Sequence, residues 1–166
     1  MSQLTDLFAH HMELVYFLYG LAFFAIGLVL LVAGQRVAQA RLGQASRALA
    51  AFGILHGSHE WIKMFRQMPA TASPPPLAEE ILSVSILAAS FLMLVAFAVR
   101  LLVTDEAGHR RVYLGVGVAG GVWLVGVGLA VAAYRPQAAD GIVLADVLAR
   151  YTLGIPAALL GALALM

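Results

Sequence analysis

The chain has no cysteine, which excludes a disulfide framework, a thiolate metal site and thiol redox chemistry. It is also poor in charge: 11% of its residues are Asp, Glu, Lys or Arg, against 62% hydrophobic. So little polar surface cannot cover a soluble domain of 166 residues, and most side chains must face lipid or other helices. Basic tracts are missing, so nothing points to nucleic acid, and a net charge of +1 says little about other partners. No nucleophile–base pair or soluble active-site motif occurs, so catalysis is not expected of these residues.

What the sequence does contain is long apolar runs. Five can be marked, at Glu13–Gly34, Ser46–Phe65, Leu77–Val103, Val112–Tyr134 and Ile142–Met166. Each has about 20 or more residues, enough for a helix to cross a hydrocarbon core of roughly 30 Å. The first run follows acidic Asp6 and includes Glu13, lacks a basic leader and has no small-residue cleavage site, so it is expected to be a retained span. The expected fold class is all-α: a single polytopic membrane helix bundle of about five transmembrane helices.

Charge placement orients it. Of the ten Lys and Arg residues, Arg36, Arg41 and Arg47 fall in the first connection and Arg100, Arg110 and Arg111 in the third. Lys63, Arg66 and Arg135 fall on the opposite side, and Arg150 lies within the fifth run. The positive-inside rule then puts the N-terminus outside and the C-terminus in the cytoplasm. Asp6, His10, His11, Glu13, Glu79, Glu80, Asp140 and Asp146 gather at the outer side, where loops hold polar residues in any membrane protein.

Local motifs sharpen the layout. Ser73-Pro74-Pro75-Pro76 stops the second helix, and Glu79 and Glu80 suit the positive end of the third. Ser83, Ser85 and Ser90 are compatible with hydrogen bonds between helices. Gly115-Val116-Gly117-Val118-Ala119-Gly120 spells a dinucleotide fingerprint, but without a preceding strand or a following acidic residue that reading is rejected. Gly117 and Gly121 instead form a small-xxx-small pair of the kind that lets helices approach closely. Tyr16, Phe17, Tyr19, Phe23 and Phe24 crowd the first run as packing residues, interfacial anchors or the wall of a pocket for a flat ligand.

The costly residues are His56, His59, Glu60 and Arg150, placed within apolar runs. An unpartnered ionisable group at that depth costs about 2.5–3.5 kcal/mol or more, so these side chains are expected to point into the bundle. Three- and four-residue spacing puts His56, His59, Glu60 and Lys63 on one helix face, with Lys63 close enough to the surface to reach water. Asp146, one turn before Arg150, is its nearest candidate partner, and Glu60, Glu80 or Glu13 could reach it from facing helices. A network that fixes packing and a ligand site both fit this pattern.

Three ligand chemistries remain open. A transition metal would draw on His56, His59 and Glu60, completed by Glu13, His10 or His11. Haem b would need a second helix, because His56 and His59 project from one side of the same helix and cannot bracket one iron. A protonatable or quinone-type site would use hydrogen bonds from His56 and Glu60.

Three segments taken together resemble a known family. Phe17–Phe24 (FLYGLAFF), Ala51–Trp61 (AFGILHGSHEW) and Ala149–Leu160 (ARYTLGIPAALL) are similar, in that order, to the N-terminal multi-pass sensory region of bacterial sensor histidine kinases and related signalling proteins. The resemblance implies a sensory input module acting on a cytoplasmic output such as a histidine kinase or diguanylate cyclase. It puts His56, Glu60, Trp61, Arg150 and Tyr151 on the matched motifs as ligand-binding candidates, beside Glu13. The implied partners are the lipid bilayer, an output domain and a second copy of the chain in a homodimer. No phosphoacceptor or ATP-binding segment occurs before Met166, so any kinase activity is expected to lie in another part. Gly154 and Pro156 supply a kink through which the last helix could relay a signal. The rival expectation is a haem- or quinone-binding redox subunit.

Overall fold

A computed structural model describes residues 11–34, 40–67, 77–103, 105–133 and 138–166. The proline-rich stop at 73–76, and Asp6, His10, Arg36 and Arg135, lie outside the described residues. Five helical rods make up the rest: α1 (Met12–Gly34), α2 (Ala40–Gln67), α3 (Leu77–Leu102), α4 (Glu106–Ala133), and a last rod built of α5 (Ala138–Leu148), a π-helical segment (Ala149–Gly154) and α6 (Ile155–Leu165). No strand occurs among the described residues. Both α2 and α4 start about a turn and a half before their apolar runs, at Ala40 and Glu106.

Four of these rods are long and apolar enough to cross a membrane: Met12–Gly34, Ala78–Leu102, Gly108–Ala130 and Val143–Leu165. The fifth expected run, in α2, falls short of that apolarity. At 28 residues α2 is about 42 Å long. Yet Arg47, His56, His59, Glu60, Lys63 and Arg66 interrupt its hydropathy. The reason is its position. It lies between α1 and α3, and its His56, His59 and Glu60 are buried against protein.

Small residues set the α1–α2 contact. The buried positions of α1 are Gly20, Gly27 and Gly34, spaced at seven, while large apolar side chains such as Leu18, Val29 and Val32 point outward. Across the interface Gly20 meets Gly57 and Trp61, Gly27 meets Ala50 and Ile54, and Gly34 meets Ser46, which makes the pair antiparallel. A Cβ at Gly53 would lie 2.7 Å from the Phe23 carbonyl oxygen, and one at Gly57 2.6 Å from that of Gly20. Backbone therefore packs on backbone here, as in membrane helix pairs. Trp61 closes this end, its Nε1 donating to the Phe17 carbonyl at 3.3 Å while its ring lies on Phe24.

The core sits around α3. Leu87 and Phe91 pack on Ala149 and Ala157, with Phe52, Leu94, Trp123 and Leu153 around them. Gly154 faces the Phe91 ring and Gly161 faces Leu94, so α3 and the last rod run parallel. Arg100 ties three helices together at the opposite end: it bonds Gln44 of α2, and its Nε donates to the Tyr113 hydroxyl of α4 at 2.5 Å.

The expected close contact at Gly117 and Gly121 is not made: both stand in open space, as do Gly115, Gly126 and Gly128. Gly120, one step round the helix, meets Leu92 instead. Spacing marks a face on a helix but not which face its neighbour takes. Gly53→Ala should therefore force α1 and α2 apart and lower stability by about 1–3 kcal/mol in detergent unfolding. Gly121→Ala, where a methyl meets nothing, should be neutral or stabilising by about 0.5–1 kcal/mol.

Candidate functional site

α2 brings His56, His59, Glu60 and Lys63 to one face, and the last rod sets Asp146 and Arg150 opposite them. Glu60 is 2% exposed, His56 3% and His59 0%, so all three depend on protein partners. Asp146 is the hub. Its Oδ2 accepts from Lys63 Nζ at 3.2 Å and from Arg150 Nε at 3.1 Å, and its Oδ1 lies 3.6 Å from His59 Nε2. Arg150 reaches on to Glu60, with its terminal nitrogen 3.2 Å from Oε1. Two carboxylates thus face one ammonium and one guanidinium, whose formal charges cancel theirs.

Lys63, expected to reach water, keeps about a quarter of its side chain exposed while pairing with Asp146. Desolvating an ammonium beside a carboxylate is offset by the close pairing. The hub role of Asp146 exceeds what one-turn spacing from Arg150 suggests, since its carboxylate also captures α2 across the bundle.

Serines on α3 orient the imidazoles. Ser90 Oγ donates its single hydrogen to the Leu87 carbonyl at 2.7 Å. We therefore assign the 3.2 Å contact between Ser90 Oγ and His56 Nδ1 as an Nδ1–H donation. His56 is accordingly the Nδ1–H tautomer, with its lone pair on Nε2, 3.8 Å from a Glu60 oxygen that Arg150 already holds. His59 Nδ1 lies 3.0 Å from the Ser83 carbonyl oxygen and 3.3 Å from the Ser83 hydroxyl, so α3 fixes this ring as well. Its Nε2 is buried and makes no hydrogen bond among the described residues.

Beside the network lies a groove of about 250 Å³ lined by Tyr19 and Phe23 of α1, Phe52 and His56 of α2, Phe91 and Leu94 of α3, and Arg150, Gly154, Ile155 and Ala158 of the last rod. The His56 ring centroid is 4.7 Å from Phe23, 5.3 Å from Phe52 and 5.5 Å from Phe91. Exposed Tyr19, Ile155 and Ala158 form the rim, so the groove opens sideways out of the bundle.

The groove borders the π-helical turn that carries Arg150. Pro156 has no N–H to donate one turn back, and the wider turn accommodates it: the Ile155 N–H bonds the Arg150 carbonyl, five residues earlier. What looks in sequence like a kink at Gly154 and Pro156 is this widened turn.

No family model, curated protein or solved structure matches the chain. The geometry alone must carry the reading.

Several sequence candidates stay outside the cluster. Tyr151 is 66% exposed and projects away from the bundle. Glu13 is exposed on the first turn of α1 and forms no ion pair with Arg150, whose carboxylate partners are Asp146 and Glu60. His11 is exposed at the entry to α1, and Trp61 seals the α1–α2 contact. Among the described residues no three His, Asp or Glu side chains are arranged to hold a metal. His56 and His59 are 6.5 Å apart between ring centroids, on one helix, with each Nδ1 engaged by α3.

Removing the hub carboxylate takes away the carboxylate that holds Lys63 and leaves Arg150 with Glu60 alone. Asp146→Ala should lower stability by about 1–3 kcal/mol in detergent unfolding, the scale of lost hydrogen bonds to charged groups. Glu13→Ala should stay within about 0.5 kcal/mol of the parent.

Proposed function

We propose that the chain is a membrane-embedded input module that binds a small molecule in the sideways groove and relays the event through the last rod. The observation that carries this reading is Arg150: one side chain lines the groove, holds Glu60 of α2 and sits on the π-helical turn. A ligand drawing on its guanidinium competes with Glu60 and Asp146. Binding is thereby coupled to how the last rod lies against α2. A π turn is a suitable place for such a shift, since it has two hydrogen-bonding alternatives.

In this reading all five rods cross the bacterial inner membrane, with α2 shielded from lipid by α1 and α3. The basic side chains Arg47, Arg100, Arg110 and Arg111 share one end of the bundle, which suits a cytoplasmic face. The ion network then lies in the outer half, and α6 ends inside. This arrangement agrees with the resemblance to sensor-kinase input regions, whose output would be a histidine kinase or cyclase.

Two measurements test it. Native mass spectrometry of the chain in mild detergent, after exposure to a bacterial membrane lipid extract, should show a retained small molecule that His56→Ala loses. A parent carrying only phospholipid would contradict the ligand site. Because the chain has no cysteine, Leu102→Cys and Leu165→Cys give clean spin-label sites on the same end of α3 and α6. Saturating the site should move their separation by about 1–2 Å, the scale of interface helix shifts. An unchanged distance would contradict the relay.

A further inference from the structure

We infer that the groove selects a lipid-soluble hydroquinone, a dihydroxyarene, over the corresponding quinone. The inference rests on the ligand-binding reading above and goes further by naming the ligand class from the count of donors and acceptors.

His56 supplies the acceptor. Ser90 spends its hydrogen on Leu87 O, so Nδ1 carries the imidazole proton and Nε2 the lone pair. The network is already balanced between Glu60 and Asp146 on one side and Lys63 and Arg150 on the other, so nothing calls for a charge on His56. Arg150 supplies the donor: Nε goes to Asp146 and one terminal nitrogen to Glu60, which leaves the other terminal nitrogen without a hydrogen-bond partner among the described residues. Its side chain is 33% exposed where it lines the groove.

A phenolic hydroxyl answers both groups, donating to His56 Nε2 while accepting from Arg150. A quinone carbonyl answers only Arg150, and its lone pairs would face that of Nε2. Tyr19 at the rim can donate or accept, so it does not discriminate. Rings of Phe23, Phe52 and Phe91 around His56 suit a flat aromatic head, and the sideways opening suits entry from the acyl region.

The experiment uses the full chain in phosphatidylcholine nanodiscs, with radiolabelled decyl-benzoquinone and its hydroquinone as probes. Binding is corrected for partition into empty discs, under anaerobic conditions. The hydroquinone is expected to bind about tenfold tighter or more, the scale of one satisfied buried hydrogen bond. His56→Phe, which keeps ring bulk but removes the acceptor, should abolish the preference. Ser90→Ala, which releases the tautomer without touching the groove, should reduce it, and unfolding midpoints report whether each variant is folded. Equal or tighter binding of the quinone, or a preference that survives both substitutions, overturns the inference. If neither probe binds above empty discs, this ligand class is wrong, while a small molecule retained in the mass-spectrometric experiment would still uphold the site itself.

Discussion

The structure depends on the pairing of Asp146 and Glu60 with Lys63 and Arg150 across the gap between α2 and the last rod. Without it α2 would carry the buried Glu60 carboxylate and the half-buried Lys63 ammonium with no answer, at a cost of several kcal/mol in a bilayer. With it, the polar face of α2 becomes an internal surface, and α1 and α3 cover the rest. The glycine contact between α1 and α2 serves the same end. It brings two backbones together so that apolar side chains of α1 can be spent entirely on the outside.

That arrangement explains why the most polar rod is also the most enclosed. Hydropathy ranks helices by what they carry, but a helix at the centre of a bundle is solvated by its neighbours. Ser83 and Ser90 illustrate this, each supplying a hydrogen-bond partner to an imidazole that lipid could not. The groove lies where this solvation is incomplete, between α1 and α6, with an aromatic wall on one side and Arg150 on the other.

Much of the architecture was legible in the sequence. All-helical rods, the inward turn of His56 and Glu60, and the one-turn pairing of Asp146 with Arg150 follow from run length, desolvation cost and helical spacing. Other features were not legible, for physical reasons. The Gly20, Gly27 and Gly34 spacing carries a signal, but the fourth run holds more glycines and so a stronger one. Which glycines pack depends on where neighbours lie, and that is a tertiary fact. Tyr151 sits next to Arg150, yet one residue turns a helical side chain by about 100°, and the wider π turn does not bring it back. Glu13 and His11 failed to join the cluster because they sit at the end of α1, above the depth at which Arg150 finds its partners. The orienting roles of Ser83 and Ser90 needed the register between α2 and α3, which no single helix encodes.

The central claim is that Glu60 and Arg150 meet inside the bundle, and a double-mutant cycle tests it most directly. Glu60→Gln, Arg150→Gln and the double variant would be compared by reversible unfolding in the same detergent. The account predicts a coupling of about 0.5–3 kcal/mol, as found for side chains that share one network. Additive effects, with no coupling beyond error, would contradict it.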